Sequence, residues 1–159
     1  MYTYRHSKEN ILLLILDNSK AGMTVASDLM TTNVVAARES TSGTEISTRL
    51  LIGEFNGVPV IDENIRVVGI VTAADILRAV RGGKNLDSLR ATDLMTKEPI
   101  VVKRDTPIDG IIDIMLQKVI VLVPVVDGDN KLIGVVARLD ILREKLNEKF
   151  VTIGNKRGI

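Results

Sequence analysis

The stretch GIVTAAD, residues 69 to 75, is followed at once by ILR, and 65 residues later GVVARLD, residues 134 to 140, is again followed by ILR. The same offset relates ASDLMT (26 to 31) to ATDLMT (91 to 96). Within the ungapped blocks Pro59 to Leu77 and Pro124 to Leu142, eight of nineteen positions are identical. The chain is therefore an internal repeat, and this repeat dominates its organisation.

Each copy predicts the same order of elements. A short helix (27 to 30; 92 to 95) precedes a β-branched strand (Val34-Val35; 100 to 102) and a longer helix. In the second copy Thr106 is the predicted N-cap of that helix and Pro107 its first residue. Two strands then form a hairpin, with turns at Glu63-Asn64 and at 128 to 130, and a last helix follows Thr72 or Ala137.

The order β-α-β-β-α, twice, predicts an α/β (α+β) fold in which two repeats pack with pseudo-twofold symmetry. A single copy is too short to bury enough apolar surface alone, so the two sheets should share their burial. The expected divisions are an N-terminal helical extension at 1–23, a first repeat at 24–83, a second at 84–150 and a tail at 151–159. The extension should hold a helix from Ser7 to Lys20 that ends before Gly22, and RGGKN (81 to 85) should link the copies.

Composition excludes several functional classes. The 159 residues are 45% apolar and 26% charged, with a net charge of +1, so no electrostatic argument favours nucleic acid or an anionic membrane. The absence of cysteine excludes a disulfide framework and a thiol nucleophile, and it fits a cytoplasmic protein. The apolar run at 11 to 16 is far shorter than the roughly 20 residues that span a bilayer.

Catalytic and metal motifs are missing from the sequence. The chain has one histidine and contains no H-E-x-x-H, G-x-S-x-G, Walker or G-x-G-x-x-G pattern. The DGDN stretch at 127 to 130 reads as a hairpin turn instead of a calcium loop. We therefore expect a binding module without metal or catalytic residues, and not an enzyme.

The DLMT opening, the VPVxD strand and the closing G-hydrophobic-V-T-x-x-D-I-L together resemble the CBS domain. Two tandem copies are similar to a free-standing Bateman module, and the resemblance covers about residues 24 to 148. It implies clefts between the repeats that bind an adenosyl ligand: AMP foremost, with ATP, ADP or S-adenosylmethionine as alternatives. It also implies a homodimer, an effector protein of unknown identity and no required cofactor.

Thr72 and Asp75 are the strongest candidates for ligand contacts. They stand where a strand meets a helix N-terminus, whose free N–H groups and partial positive charge suit a phosphate. The hydroxyl could donate to the ligand, and the carboxylate could accept from the two ribose hydroxyls. The alternative is a capping box that closes the helix end on itself; the family resemblance favours the ligand role.

The second copy keeps Asp140 but replaces the threonine by Ala137. Without the hydroxyl, we expect Asp140 to retain only a helix-dipole contribution of about 0.3–1 kcal/mol, so its retention favours a ribose contact. Arg138 could take over the phosphate or could be a solvated arginine. The two clefts should therefore be unequal, with the Asp75 cleft matching the family better.

The resemblance also implies an adenine slot made by strand residues of each copy, with ordinary core packing as the alternative for each residue. Carried over, the slot residues are Val34, Val35, Gly57, Val58, Ile100, Val101, Leu122 and Val123. Arg38 and Arg104 are further phosphate candidates, for which a surface role is the alternative.

The helix IDGIIDIMLQKVIVL is apolar around too much of its circumference for one buried face. It should cover a second surface, and the resemblance implies a homodimer there; deep burial within one chain is the alternative. Two functions compete: a sensor of adenine nucleotides, and a structural or dimerisation module with vestigial clefts. Single-stranded nucleic acid binding is disfavoured, because two Tyr, two Phe and no Trp offer few stacking platforms.

Overall fold

The computed structural model describes residues 23–154, with side chains described as far as Leu146. The helix predicted from Ser7 to Lys20 lies outside the described residues. No helix among the described residues is long and apolar enough to cross a membrane.

Except for one additional short strand in the second copy, the described elements follow the predicted order in both copies. The first copy contains α1 (Ala26–Leu29), β1 (Ala37–Arg38), α2 (Gly43–Gly53), β2 (Gly57–Ile61), β3 (Val67–Thr72) and α3 (Ala73–Arg81). The second copy contains α4 (Ala91–Leu94), β4 (Thr96–Lys97), β5 (Val102–Lys103), α5 (Ile108–Gln117), β6 (Leu122–Val126), β7 (Leu132–Ala137) and α6 (Arg138–Gly154). The predicted mixed α/β fold is confirmed.

Each copy builds one sheet around its hairpin. In the first sheet, of order β1-β2-β3-β4, β1 is parallel to β2 and β2 is antiparallel to β3. The second sheet repeats the first three strands of this arrangement as β5-β6-β7. An aspartate holds each hairpin turn: Asp62 Oδ1 accepts from the Arg66 amide at 2.8 Å, and Asp127 Oδ1 accepts from the Lys131 amide at 3.0 Å. The latter bond lowers the pKa of Asp127, because it favours the ionised carboxylate.

The opening segments of the two copies are exchanged. Ala26 of α1 is fully buried in the core of the second copy, whereas Ala91 of α4 is buried in the core of the first. After α1, Thr31 forms a bridge with Val135 of β7. After α4, β4 pairs with β3 of the first copy, with Thr96 opposite Ile70. Each core is therefore completed by a short helix that belongs to the other repeat.

Reciprocal contacts establish the predicted pseudo-twofold symmetry. Val25 bridges Pro107, and their equivalents 65 residues along, Arg90 and Ser42, form the matching bridge. Arg66 and Lys131, which are themselves equivalent positions, pair with each other at the two hairpin turns. A contact between equivalent residues lies on the symmetry axis, so the axis passes between these turns.

Two local predictions are wrong. Val34-Val35 is not a strand: only Ala37 and Arg38 run beside β2, and in the second copy the strand starts at Val102. Thr106 is not the N-cap of α5, since Pro107 holds that position and the Thr106 hydroxyl accepts from the Lys103 amide at 3.0 Å. Because the short strands start only at Ala37 and Val102, the residues before them do not pair with β2 or β6.

The exchange gives a first testable prediction at Gly134. A Cβ on Gly134 would lie 2.6 Å from the sulfur of Met30, which the opening segment of the first copy places against β7. Gly134→Ala should lower the free energy of unfolding by about 1–3 kcal/mol, as measured by urea denaturation. The control is Gly128→Ala, because a Cβ there meets nothing within 4 Å.

A second variant assigns the loss to Met30. Met30→Ala removes the obstructing side chain, so its combination with Gly134→Ala should be more stable than the sum of the two single losses predicts. Strict additivity would contradict the packing of Met30 on Gly134.

Candidate functional site

Two clefts lie between the repeats, and the exchange of the opening segments creates both. The first, here the Asp140 cleft, has a volume of about 410 Å³ and is lined from Thr31 to Val35, at 54 to 57 and at the start of α6. The second, here the Asp75 cleft, has a volume of about 460 Å³ and is lined at 98 to 100, at 119 to 122 and at the start of α3. In each cleft the carboxylate of one repeat therefore faces the opening segment of the other.

The two clefts are related by the 65-residue repeat and adjoin each other. Three residues line both of them: Asn56, Val121 and Leu122. Asn56 and Val121 are themselves equivalent positions, so the shared wall lies close to the symmetry axis. Ligands in the two clefts would be neighbours, separated by little more than these side chains.

At the Asp75 cleft, Thr72 and Asp75 form a complete capping box on α3. Asp75 Oδ2 accepts from the amide and from the hydroxyl of Thr72, both at 2.7 Å, and the hydroxyl accepts from the Asp75 amide at 3.4 Å. Both residues also line the cleft. The structural and the ligand roles that the sequence left open are thus compatible in one pair.

At the Asp140 cleft, half of the capping box survives. Asp140 Oδ2 accepts from the Ala137 amide at 2.9 Å. The expectation that Asp140 keeps only a helix-dipole contribution is therefore wrong, because this half of the box uses the backbone of residue 137 and needs no hydroxyl. The retention of Asp140 has a structural reason and does not by itself indicate a ribose contact.

Arg78 and Arg143 contact the second carboxylate oxygens, and neither was predicted from the sequence. Arg78 lies 2.5 Å from Asp75 Oδ1, and Arg143 lies 3.3 Å from Asp140 Oδ1. The arginines are 73% and 68% exposed, whereas the carboxylates are 12% and 21% exposed. The signal was present in the sequence, because the repeated ILR carries both arginines.

Arg138 lines the Asp140 cleft, but its guanidinium group has a structural task. Nε donates to the Ile120 carbonyl at 2.8 Å, and one terminal nitrogen donates to the Met115 carbonyl at 3.2 Å. These bonds attach the end of α5 to the beginning of α6. Arg138 is therefore neither a freely solvated arginine nor one whose full set of donors is open to a phosphate.

Five of the eight predicted slot residues line one or both of the clefts. Val34, Val35 and Gly57 line the Asp140 cleft, Ile100 lines the Asp75 cleft, and Leu122 lines both. Three residues correct the prediction by lying away from the cleft walls. Val58 and Val123 are fully buried in the two cores, because strand alternation turns them to the opposite face from their neighbours; Val101 is half-buried outside both cleft linings.

The phosphate candidates Arg38 and Arg104 lie outside both clefts. Arg38 donates to the Asp62 carbonyl and lines a separate polar depression beside β1. Arg104 is exposed, and its carbonyl accepts from the Ser27 amide at 2.8 Å. The structure therefore places both arginines in surface roles.

Comparison with known proteins agrees with this geometry. The family model described as "CBS domain" matches residues 26–82 and 91–147. The uncharacterized protein MK0525 of Methanopyrus kandleri is 30% identical over 112 residues, which are 70% of this chain and 57% of that protein. Two other curated relatives, each 30% identical, are homoserine O-acetyltransferase of Methanohalobium evestigatum and L-aspartate semialdehyde sulfurtransferase of Methanocaldococcus jannaschii, and the chain spans 26% and 24% of their lengths.

Two solved structures share the fold and contain adenosyl ligands. The CBS domain pair of protein MJ0100, in complex with 5′-methylthioadenosine and S-adenosyl-L-methionine, has a TM-score of 0.73 and 28% identity over 79% of this chain and 98% of that one. CBSX2, a CBS-pair protein from Arabidopsis thaliana solved in complex with AMP, has a TM-score of 0.69 and 29% identity over 77% and 97%. With two matched domains across most of its length, the chain belongs to the CBS-domain family and carries the domain as a tandem pair.

Proposed function

We propose that the chain is a non-catalytic regulatory module that binds an adenosyl ligand in the clefts between its repeats. AMP is the first candidate, and ADP, ATP and S-adenosylmethionine are the others. One observation carries the proposal: twice in the fold, a carboxylate at a helix N-terminus faces apolar residues of a segment exchanged from the other repeat. An apolar wall with a few convergent polar groups is typical of small-molecule sites.

The carboxylates have an oxygen to offer a ligand. Oδ2 of Asp75 accepts hydrogen bonds from the amide and the hydroxyl of Thr72. Oδ1 contacts only the exposed Arg78 among the described residues. A ribose hydroxyl can replace Arg78 at Oδ1 without disturbing the cap of α3. The same exchange at Asp140 would release the guanidinium of Arg143, which can bind a phosphate in bidentate fashion.

The relatives support the class of ligand. Protein MJ0100 and CBSX2 were solved with adenosyl ligands of different charge at the 5′ position, namely a thioether, a sulfonium and a phosphate. The adenosine portion is the part these ligands share. We infer that the apolar walls and the carboxylate recognise this shared portion in the present chain.

A homodimer is the proposed route of signalling. On α5, Ile108, Ile111 and Met115 are buried in the core, whereas Leu116 is 67% exposed. Leu116 borders an apolar groove between α5 and α6 that also includes Ile112 and Leu142. A second copy covering this surface would couple ligand binding to dimer geometry, which an effector protein could read. The effector and the cytoplasmic location stay predictions.

The alternative function is a structural or dimerisation module with vestigial clefts. The complete capping box at Thr72 and Asp75, and the half box at Asp140, favour it, because each carboxylate already has a structural use without a ligand. The two functions differ in whether adenosyl ligands stabilise the fold.

Thermal melting against AMP, ADP, ATP and S-adenosylmethionine separates these functions. A ligand that binds only the folded chain, at 100 times its Kd, should raise the free energy of unfolding by about 2.7 kcal/mol, which is several degrees for a chain of this length. Inosine monophosphate serves as a matched control for the base. An unchanged melting temperature with all four ligands would favour the structural module.

A further inference from the structure

The two clefts differ in charge at equivalent positions. Asn33 in the Asp140 cleft corresponds to Glu98 in the Asp75 cleft, and Arg138 corresponds to Ala73. Glu54 of the Asp140 cleft corresponds to Val119 and partly offsets this difference.

The net charges of the two clefts therefore differ. The Asp140 cleft has two carboxylates and two guanidinium groups among its described lining residues, a net charge of zero: Glu54, Asp140, Arg138 and Arg143. The Asp75 cleft has two carboxylates and one guanidinium group, a net charge of −1: Asp75, Glu98 and Arg78.

Of the residues that differ, Arg138 is held by hydrogen bonds of its side chain, and Glu98 is an exposed residue whose backbone is fixed in the cleft wall. Glu98 directly follows β4, has a left-handed φ of 49°, and its amide donates to the Val68 carbonyl at 3.4 Å. Arg138 is held by the carbonyls of Ile120 and Met115 through two of its five N–H donors. The charge difference therefore belongs to the walls of the clefts and is not carried by a free tail.

On the basis of the proposed function, we propose that the two clefts select different adenosyl ligands. The Asp140 cleft takes adenosine with a 5′-phosphate, and the Asp75 cleft takes adenosine whose 5′ substituent is neutral or cationic. In the Asp140 cleft, Arg138 and Arg143 offer charge-assisted hydrogen bonds to a phosphate. In the Asp75 cleft, Glu98 repels a phosphate, and Ala73 provides no second cation to compensate.

Calorimetric titration with AMP and with adenosine tests this selection. Asp75→Ala leaves the Asp140 cleft intact, and Asp140→Ala leaves the Asp75 cleft intact. In Asp75→Ala we expect AMP to bind about three- to tenfold more tightly than adenosine, and in Asp140→Ala we expect AMP to bind no more tightly than adenosine. The same AMP-to-adenosine ratio in both variants would overturn the proposal.

The repeat itself supplies the substitutions that exchange the charges. Glu98→Asn gives the Asp75 cleft the residue type found at 33, so in the Asp140→Ala background it should raise AMP affinity and leave adenosine affinity unchanged. Arg138→Ala gives the Asp140 cleft the residue type found at 73 and should lower AMP affinity there. Because Arg138 also anchors α5, Glu98→Asn is the decisive variant, and an unchanged AMP affinity in it would overturn the proposal.

Failure of the proposed function would look different. If neither AMP nor adenosine binds the unaltered chain, both the function and the selection are overturned. If both ligands bind, but with equal preference in the two clefts, only the selection is overturned.

Discussion

An Asp75→Ala variant is expected to bind an adenosyl ligand in the Asp75 cleft about ten- to hundredfold more weakly. This is the usual effect of removing a charged hydrogen-bond partner. Asp75 accepts from the ribose hydroxyls in our proposal. Its Oδ1 loses only the contact with the exposed Arg78 when a ligand binds. The Asp140 cleft should keep its affinity, because its carboxylate stands on the other repeat. Calorimetric titration should therefore show one site per chain in place of two.

The variant also removes the cap of α3, so the loss of binding needs a control for the loss of the cap. Asp93 provides this control. Its Oδ2 accepts from the Arg90 amide at 2.8 Å, as Asp75 Oδ2 accepts from the Thr72 amide, and Asp93 lines neither cleft. Asp93→Ala should lower the free energy of unfolding by about 1 kcal/mol and leave ligand binding unchanged. Equal binding losses in the two aspartate variants would show that the carboxylate acts through stability alone.

The second large effect is expected from Ile111→Ala. Ile111 is fully buried in the core that α5 and the second sheet form with α1 of the first copy. Truncation should lower the free energy of unfolding by about 2–5 kcal/mol, because it removes buried methyl groups and leaves a cavity. Urea denaturation followed by circular dichroism measures the loss.

Two further variants serve as controls for Ile111→Ala. Asp113→Ala, at an exposed position of the same helix, should change stability by less than about 0.5 kcal/mol. Ile46→Ala, the equivalent truncation in the other core, should cost as much as Ile111→Ala, since Ile46 is also fully buried. The exchanged helices join the two cores, so both truncations should shift one common transition. Two separate transitions, with only one of them shifted, would contradict the exchange.

The order of elements and the symmetry were predictable, because the repeat displays each element twice and either copy can correct the other. The exchange of α1 and α4 was not predictable. Local pattern shows that Ala26 is apolar and helical, but it does not show which of two nearly identical cores receives it. The same limit explains the misplaced strand at Val34-Val35: β-branched residues favour extended backbone, while pairing depends on where β2 runs.

The candidate site was predictable in its carboxylates and less so in its walls. Thr72, Asp75 and Asp140 all line the clefts, because the strand-to-helix junction fixes their position. Val58 and Val123 were misplaced, although the alternation of side chains along a strand already separates them from Gly57 and Leu122. The bond from the Ala137 amide to Asp140 uses a backbone donor, which no side-chain pattern reveals.

The central claim is that each chain holds two adenosyl ligands, one in each cleft. The most direct measurement is equilibrium dialysis of the unaltered chain against AMP and against S-adenosylmethionine, followed to saturation and repeated with Asp75→Ala/Asp140→Ala. The account predicts a total of two ligands per chain when both are present, and Kd values about ten- to hundredfold higher in the double variant. Binding that persists undiminished in the double variant, or no binding by the unaltered chain, would contradict it.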